Sequence, residues 1–447
     1  YRHCLEMVVS RMSDVAIYEK MKDSKEQWLG DIPSTWNTRL LKYMFSIKKN
    51  IAGETGHQVL SVTQKGIVPK NMTERGQFSL DYSKYQLVEA GDFVMNHMDL
   101  LTGWVDISKY NGVTSPDYRV FVNTNPDSFD SKYYNYIFQY CYSNRIFYGL
   151  GQGVAGYGRW RLPADMFMNF VLPVPPIDQQ RRISCFLDKQ CEQIDSIIEE
   201  AKSSIEEYKK WRSILIFEAI TKGIDPNVEK KDSGIKQIGQ IPIHWDCCSL
   251  KFLTTKIGSG KTPSGGAEVY TNSGIMFLRS QNIYDSGLIL QDVSFISSEI
   301  DEEMKNTRVQ YNDILLNITG GSIGRCCVYT LKDVPANVNQ HVCIIRTQSE
   351  KLLPQFLRYF WNSSAGTMSV GLYQTGGNRP GLNFEQIGST KVPVCSLQEQ
   401  QRIVEYLDKI TAEIDKLIIE KQNLTTDMEN YKRSLTYEVI SGKRKVV

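Results

Sequence analysis

Hydrophobic side chains recur at alternating steps of three and four residues in two long stretches of the chain. No proline or glycine interrupts residues 178–222 or 397–441, so each stretch can form one continuous helix. A stripe of this period over about five heptads predicts a coiled coil, and ~45 residues would give a rod of roughly 65–70 Å. The predicted seam positions are Ile183, Leu187, Ile194, Ile197, Tyr208, Leu215, Ile403, Leu407, Ile414, Leu417, Met428 and Leu435.

The two stretches are copies of each other. Residues 173–220 align without a gap with residues 393–440, and each copy is preceded by a Gly-x-Ile-Pro-x-x-Trp motif, beginning at Gly30 and at Gly239. The identical pairs include Gln180/Gln400, Asp188/Asp408 and Asp195/Asp415. Two long helices joined through a domain share a seam most simply when they are antiparallel. We therefore expect an antiparallel pair with one variable block at each end.

The variable blocks have a different sequence pattern from the two long helical stretches. Short β-branched or aromatic runs alternate there with Gly, Asn, Ser and Asp turns, and helical stretches intervene, which predicts an α+β fold. The sequence thus predicts two domains of short strands and helices, separated by two long antiparallel helices that form a coiled coil. The expected divisions are an N-terminal tail at 1–26, a first domain at 27–172, a helical spacer and linker at 173–230, a second domain at 231–392, and a second helical spacer at 393–447.

Composition excludes some classes of protein. Of the 447 residues, 41% are hydrophobic, which excludes a chain that is disordered throughout. The 52 Lys and Arg residues nearly balance the 50 Asp and Glu residues, so any binding of phosphates must come from local patches. The ten cysteines are dispersed and no apolar run is long enough to span a bilayer. We expect a cytoplasmic protein with reduced thiols and no contact with membranes.

Motifs that could carry catalysis lack their usual context. The run Gly258-Ser-Gly-Lys-Thr262 resembles the end of a phosphate-binding loop, but Pro263 follows it where a helix should begin. Asp117, Asp130 and Lys132 resemble a metal-nuclease signature, but residues 127–132 have the pattern of a capped helix start. The five histidines show no paired spacing. We expect no catalytic residue and no metal site, with a stand-alone metal-dependent nuclease as the enzymatic alternative.

Basic and amide residues in glycine-rich loops are the remaining candidates for function. Arg, Asn and Gln can recognise base edges through paired donors and acceptors, while Lys and Arg also neutralise phosphates. Both blocks carry such loops before the same helix. The candidate DNA-binding residues are Lys65, Arg75, Arg119, Tyr157, Arg159, Arg161, Lys261, Arg279, Gln281, Asn282, Arg325, Asn339, Gln340, His341, Asn378 and Arg379.

This organisation resembles the specificity subunit of a type I DNA restriction-modification enzyme, from Trp28 to Lys443. The resemblance rests on the two Gly-x-Ile-Pro-x-x-Trp motifs, on Gly-Ser-Gly-Lys-Thr-Pro at 258–263, and on the segments Gln180-Arg-Arg-Ile183 and Gln400-Gln-Arg-Ile403 that follow Pro173 and Pro393. The first block lacks the Gly-x-Thr-Pro loop.

The resemblance implies a non-catalytic subunit with two target-recognition domains, each recognising one half of a bipartite asymmetric site in double-stranded DNA. It further implies that the helices act as a spacer and as a docking surface for two methyltransferase subunits, joined by two restriction/motor subunits. The partner subunits would use S-adenosylmethionine, ATP and Mg²⁺, and this chain would hold no cofactor. The second alternative, besides the nuclease, is a coiled-coil interaction protein with no role at DNA.

Overall fold

Contacts divide the protein into two compact units. Unit 1 comprises Tyr1–Ala201 and Asn423–Val447, and unit 2 comprises Lys202–Gln422. Each unit therefore combines one variable block with the beginning of one long helix and the end of the other. The computed structural model describes residues 16–70, 82–153, 160–373 and 381–446.

Nine α-helices lie within these ranges. They are α1 (Ser131–Ser143), α2 (Ile146–Gly149), α3 (Ala164–Met168), α4 (Ile177–Lys222), α5 (Ser298–Glu303), α6 (Pro354–Trp361), α7 (Ser364–Tyr373), α8 (Phe384–Ser389) and α9 (Leu397–Ile440). The helices α4 and α9 are the two predicted long helices.

Short strands make up the β-structure of both units. The strands of unit 1 are β1 (Met21–Asp23), β2 (Asp31–Pro33), β3 (Asn37–Leu40), β4 (Phe45–Lys48), β5 (Leu60–Thr63), β6 (Gly66–Pro69), β7 (Gln86–Val88), β8 (Phe93–Met95), β9 (Val105–Ile107), β10 (Gly112–Thr114), β11 (Arg119–Asn123) and β12 (Val171–Val174). The strands of unit 2 are β13 (Lys230–Asp232), β14 (Gln240–Pro242), β15 (Asp246–Ser249), β16 (Thr254–Ser259), β17 (Ile275–Leu278), β18 (Ile283–Tyr284), β19 (Gly287–Leu288), β20 (Ser294–Ile296), β21 (Arg308–Val309), β22 (Ile314–Asn317), β23 (Cys326–Val328), β24 (Ala336–Val338), β25 (Val342–Thr347) and β26 (Lys391–Val394).

The two units share one scaffold. Unit 1 contains a four-stranded antiparallel sheet in the order β4-β11-β8-β9, and unit 2 contains the equivalent sheet in the order β16-β25-β22-β23. The strand before the long helix pairs with an early strand in both units, as β12 with β3 and β26 with β15. The repeat therefore extends through the blocks, where sequence similarity fades.

The additions to this scaffold differ between the units. Unit 2 adds a mixed sheet in the order β20-β17-β24-β21, in which β17 and β24 are parallel. Unit 1 instead carries the two-stranded pairs β5-β6 and β7-β10. The common sheet is thus fixed while the surrounding strands and loops vary. The predicted α+β class is confirmed.

The N-terminal tail expected at 1–26 includes residues that are part of unit 1. Residues 21–23 form β1, which pairs with β2, and the Lys445 backbone N–H donates to the carbonyl of Ala16. The equivalent pair β13-β14 occurs in unit 2. The scaffold repeat therefore begins before the Gly-x-Ile-Pro-x-x-Trp motif.

In each unit the segments of α4 and α9 run antiparallel. In unit 1, Lys432 of α9 forms an ion pair with Asp195 of α4 at 2.7 Å. One turn further along α9, Thr436 lies beside Cys191, which is one turn earlier in α4. In unit 2, Arg212 of α4 lies 3.1 Å from Asp415 of α9. Apolar side chains of the two helices share one core in each unit. The predicted antiparallel pairing is confirmed within each unit.

The buried stripe departs from a strict heptad as the helices proceed. The predicted positions that are buried are Ile183, Leu187, Ile194, Ile403, Leu407, Ile414, Met428 and Leu435. Ile197 and Leu215 are half-buried, because Ile198 and Ile216 take the buried positions one residue later. Tyr208 is also half-buried, and the buried residue nearest to it in α4 is Ile205, three positions earlier. Leu417 is 38% exposed and lies outside the stripe. A straight helix of 3.6 residues per turn drifts relative to a 3.5-residue repeat, so a strict heptad falls out of register.

A buried glutamine connects each block to the start of its long helix. Gln180 accepts from the Asp130 backbone N–H and donates to the carbonyls of Ser128 and Pro175. Gln400 is fully buried as well, accepts from the Leu353 N–H and donates to the carbonyls of Lys351 and Cys395. A buried amide must have its hydrogen bonds made, which explains why this pair is identical in the two copies.

The identical pair Asp188 and Asp408 also holds the scaffold together. Asp188 accepts from Lys132 at 2.9 Å and from the Tyr136 hydroxyl at 2.8 Å, both on α1. Asp408 accepts from the Tyr359 hydroxyl at 2.5 Å on the equivalent helix α6. Each carboxylate thus fixes the block helix to its long helix.

The Pro and Trp of each shared motif support the end of the long helix that returns from the other unit. Gly442 follows α9 with a φ of +72°, and a Cβ there would overlap Pro33 and approach Trp36. Gly223 follows α4 with a φ of +74°, against Trp245 and Pro242. Glycine tolerates this backbone conformation and leaves room for the ring packing.

Among the described residues, no helix combines the length and the apolar character that a bilayer span requires.

Replacing Gln400 should destabilise unit 2 far more than replacing its neighbour. We expect Gln400→Ala to lower the free energy of unfolding by roughly 1–3 kcal/mol, because the Leu353 N–H and the Lys351 and Cys395 carbonyls all lose the buried amide as their partner. The matched control is Gln401→Ala, because Gln401 is exposed and its amide donates to Glu405 on the next turn of the same helix. Denaturant unfolding and hydrogen exchange at the Leu353 amide measure the effect. Equal stability and equal exchange in the two variants would show that the amide is dispensable.

Candidate nucleic-acid interface

Four loops of unit 2 meet beside its sheets. We call them the polar loop face, defined by residues 258–263, 279–282, 318–325 and 339–341. Backbone hydrogen bonds join them: Gly260 N–H donates to the Asn339 carbonyl, Asn339 N–H to the Leu278 carbonyl, and Ile318 N–H to the His341 carbonyl. Loops held in this way can present side chains in fixed positions.

The close approach of two of these loops requires glycine at position 260. A Cβ at this position would overlap the Val338 carbonyl oxygen and crowd Asn339. At Gly258, two residues earlier, a Cβ would meet nothing within 4 Å. The Gly-Ser-Gly-Lys-Thr-Pro run is therefore a packing motif of this loop, and no α-helix follows it as a phosphate-binding loop would need.

A chain of side-chain hydrogen bonds runs across the face. The Thr262 hydroxyl donates to Gln340 Oε1 at 2.6 Å, Gln340 Nε2 lies 3.1 Å from His341 Nε2, and His341 Nδ1 lies 2.6 Å from the Thr319 hydroxyl. Gln340 is exposed, so its amide remains available to a ligand. Neither threonine is among the residues predicted from the sequence, although Thr262 belongs to the Gly-Lys-Thr-Pro run, which is a signal for it.

Cationic and amide groups flank this chain. Arg325 is exposed and its guanidinium lies 5.0 Å from the centre of the Tyr284 ring. Lys261 and Gln281 are exposed too. Arg279 is half-buried and donates to the Asp292 carbonyl at 3.1 Å. The face therefore offers phosphate-binding groups beside groups that can recognise base edges.

Three candidate residues have structural roles instead. Asn282 is fully buried, where it accepts from the Arg279 N–H and donates to the Ile289 carbonyl. Asn339 is buried and accepts from the His341 N–H. Arg119 is buried in unit 1, donates to the Leu162 carbonyl and lies over the Phe167 ring. Burial lowers the pKa of Arg119 to about 10. All three side chains are buried and hydrogen-bonded within the protein, so each has a role in the fold, and contact with DNA stays a prediction for them.

The two other described candidates of unit 1 belong to separate segments of the chain. Lys65 is exposed in the turn between β5 and β6, and Arg161 is exposed where its backbone pairs with Gln152. The candidates Arg75, Tyr157, Arg159, Asn378 and Arg379 lie outside the described residues. The polar loop face of unit 2 is accordingly the better defined surface.

A histidine in unit 1 has an unusual environment. The pKa of His97 is lowered to about 4, first by burial and then by the positive charges of Arg119 and Arg161. Its Nδ1 is buried and has no hydrogen-bond partner. His97 therefore stays neutral at physiological pH.

Two residues of the nuclease signature, Asp130 and Lys132, have structural roles in the scaffold. Asp130 caps α1 by accepting from the Tyr133 N–H, and Lys132 pairs with Asp188. Within the described ranges, no group of three or more His, Cys, Asp or Glu side chains is placed to hold a metal ion.

Known proteins with similar sequences are specificity subunits of type I restriction enzymes. A family model described as the type I restriction modification DNA specificity domain matches residues 242–424, which include the polar loop face. The chain is 26% identical over 294 residues to the MjaVIII specificity subunit of Methanocaldococcus jannaschii, covering 65% of this chain and 66% of that protein. It is 27% identical over 293 residues to the EcoBI specificity subunit of Escherichia coli, covering 63% and 60%. These matches thus span less than two thirds of both relatives.

A solved structure has the same fold. A chain from a structure of type I R-M complex assembly and conformational transition matches with a TM-score of 0.70 at 13% identity, covering 92% of this chain and 98% of that one. The predicted resemblance to type I specificity subunits is confirmed by the family model over residues 242–424 and by the two relatives.

Substitution at Gly260 should displace the loop that carries Thr262. We expect Gly260→Ala to break the bond from its N–H to the Asn339 carbonyl, because the new Cβ overlaps Val338. We expect hydrogen exchange of the residue 260 amide to accelerate by roughly tenfold or more in Gly260→Ala. In the matched control Gly258→Ala, the exchange rate of the same amide should change by less than about a factor of two. Protection that survives in Gly260→Ala would contradict the packing role.

Acid should weaken unit 1 through His97. The unfolded histidine takes up a proton near pH 6.5 and the folded one only near pH 4, so the unfolded state binds more protons between these values. We expect stability to fall as the pH drops from about 6.5 to about 4, and less so in His97→Gln. Arg161→Gln should narrow the pH range over which stability falls. The substitution removes a positive charge that lowers the pKa of His97, so the folded-state pKa moves closer to that of the unfolded chain. Acid unfolding curves that coincide for the wild type and His97→Gln would disprove the assignment.

Proposed function

We propose that this protein is the sequence-recognition subunit of a type I restriction-modification complex and binds double-stranded DNA at a bipartite asymmetric site. Unit 1 and unit 2 would each recognise one half-site. The single observation that carries this proposal is the repeat of one scaffold with different strands and loops attached, within a chain that resembles specificity subunits. A shared scaffold suits a common task, and different loops suit different targets.

Recognition in unit 2 is assigned to the polar loop face. Its exposed Arg325 and Lys261 suit phosphates, while Gln281 and Gln340 suit base edges. With a net charge of only +2, the chain has no strong field to hold DNA by itself. Tight binding would then depend on partner subunits that contribute further contacts.

The partners are proposed to be two methyltransferase subunits and two restriction/motor subunits. Exposed apolar side chains on the helix segments of unit 2 support a partner surface there: Trp211 is 47% and Ile214 is 55% exposed. Large apolar groups in water favour association. Catalysis, with S-adenosylmethionine, ATP and Mg²⁺, is assigned to the partners, and this chain is proposed to be non-catalytic.

The two alternative functions find no support in the comparisons, which return specificity subunits for the chain. A nuclease would also need Asp130 and Lys132 free for chemistry, and both are engaged in the scaffold.

Exchange of one block should change one half of the target. Replacing residues 27–172 with the corresponding block of another specificity subunit should alter one half-site and leave the other half-site unchanged, because each block forms its own sheet. The reciprocal exchange of residues 231–392 is the matched control and should alter the other half-site. Selection from a randomised duplex library, using the chain purified with its methyltransferase subunits, measures both. A single exchange that alters both half-sites would refute independent recognition.

A further inference from the structure

We propose that Gln340 recognises an adenine in the half-site of unit 2, and that Thr262, His341 and Thr319 are positioning residues that hold its amide in one orientation. This inference rests on the proposed function, because it requires the polar loop face to contact duplex DNA. It adds the base that is recognised and the residues that fix the recognising group.

The direction of each hydrogen bond in the chain follows from the chemistry of its groups. Gln340 Oε1 can only accept, so the Thr262 hydroxyl donates to it. Gln340 Nε2 can only donate, so His341 Nε2 accepts and carries no hydrogen. The hydrogen of the neutral ring is then on Nδ1, which donates to the Thr319 hydroxyl oxygen. All three bonds are consistent with one tautomer.

The side-chain amide of Gln340 cannot rotate by 180° unless its hydrogen-bond partners change as well. A rotation that exchanges Oε1 and Nε2 would place a lone pair of Gln340 against the unprotonated His341 Nε2. To restore the bonds, the ring hydrogen would have to move to Nε2 and both threonine hydroxyls would have to reverse. The chain therefore changes orientation only as a unit, and the ordering cost of the Gln340 side chain is met before DNA binds.

The backbone below Gln340 is fixed from three sides. The carbonyl of Asn339 accepts from Gly260 at 3.2 Å, the N–H of Asn339 donates to Leu278 at 3.1 Å, and the carbonyl of His341 accepts from Ile318 at 3.0 Å. The buried side chain of Asn339 also accepts from the His341 N–H at 3.1 Å. An exposed side chain on so constrained a loop can be placed accurately against a base.

The free positions of the amide match adenine. One lone pair of Oε1 and one N–H of Nε2 remain after the bonds to Thr262 and His341 are made. In the major groove adenine offers the N6 amine as donor beside N7 as acceptor, which pairs with an amide through two bonds. Guanine offers two acceptors there, and cytosine and thymine each offer a single polar group, so none of them satisfies both amide positions.

The test uses single-atom changes in the DNA. A preferred duplex is first selected from a randomised library by the full chain purified with its methyltransferase subunits. Each adenine of the unit 2 half-site is then replaced in turn by 7-deazaadenine, which lacks the N7 acceptor. We expect one replacement to weaken binding by roughly 5- to 100-fold, the range for loss of a two-bond base contact. Gln340→Ala should remove that penalty, and the exposed-amide control Gln401→Ala should retain it.

Two pairs of variants distinguish positioning from simple structural support. Thr262→Val and Thr319→Val should each reduce the 7-deazaadenine penalty at that adenine, because the amide or the ring loses its fixed partner. Thr262→Ser and Thr319→Ser keep a hydroxyl and should restore the penalty. Equal weakening on every duplex, with the penalty unchanged in the valine variants, would overturn the positioning role.

Failure of this inference is separable from failure of the proposed function. If the wild-type complex selects a preferred duplex but Gln340→Ala removes no 7-deazaadenine penalty, Gln340 does not recognise adenine while the chain still recognises DNA. If the complex selects no preferred duplex, both the proposed function and this inference fall.

Discussion

The antiparallel contact between a segment of α4 and a segment of α9 is the interaction on which each unit depends. In unit 1 it brings together residues 177–201 and 423–440, which are separated by about 220 residues of chain. Closing a loop of that length costs on the order of 5 kcal/mol. Burial of Leu424, Met428, Leu435 and Val439 contributes roughly 1.5–3 kcal/mol for each side chain, which is enough to offset that cost.

Because of that contact, the residues shared by the two copies are those that join separate parts of the chain. Gln180 and Gln400 connect a block to a helix start, and Asp188 and Asp408 connect a block helix to a long helix. None of these four side chains belongs to the polar loop face. Sequence similarity between the copies is therefore found in the scaffold. The loops, where the two sequences are no longer similar, are the positions at which the units can differ and still remain stable.

The scaffold could be predicted from the sequence because its signals are periodic or duplicated. The long helices, their pairing and the two-block organisation follow from the apolar stripe and from the repeat. The seam positions could be predicted only in part. Leu417 fits a strict heptad, but helical drift leaves it 38% exposed. The composition of a loop does not reveal which way its side chains point. Arg119 and Asn282 have the composition expected of a DNA-binding loop, yet both turn inward to satisfy carbonyl groups that burial would otherwise leave unpaired.

The difference between the two units lies in the chemistry attached to equivalent strands. In unit 2 the loop before β25 presents Gln340 and His341, tied to neighbouring loops by hydrogen bonds. In unit 1 the equivalent strand β11 begins with Arg119, whose buried charge contributes to keeping His97 neutral. Each arrangement is confined to its own loops and leaves the order of the four-stranded sheet unchanged. Equivalent strands thus begin with a buried charged cluster in unit 1 and follow an exposed polar loop in unit 2, and this difference is what the proposed recognition of two different half-sites requires.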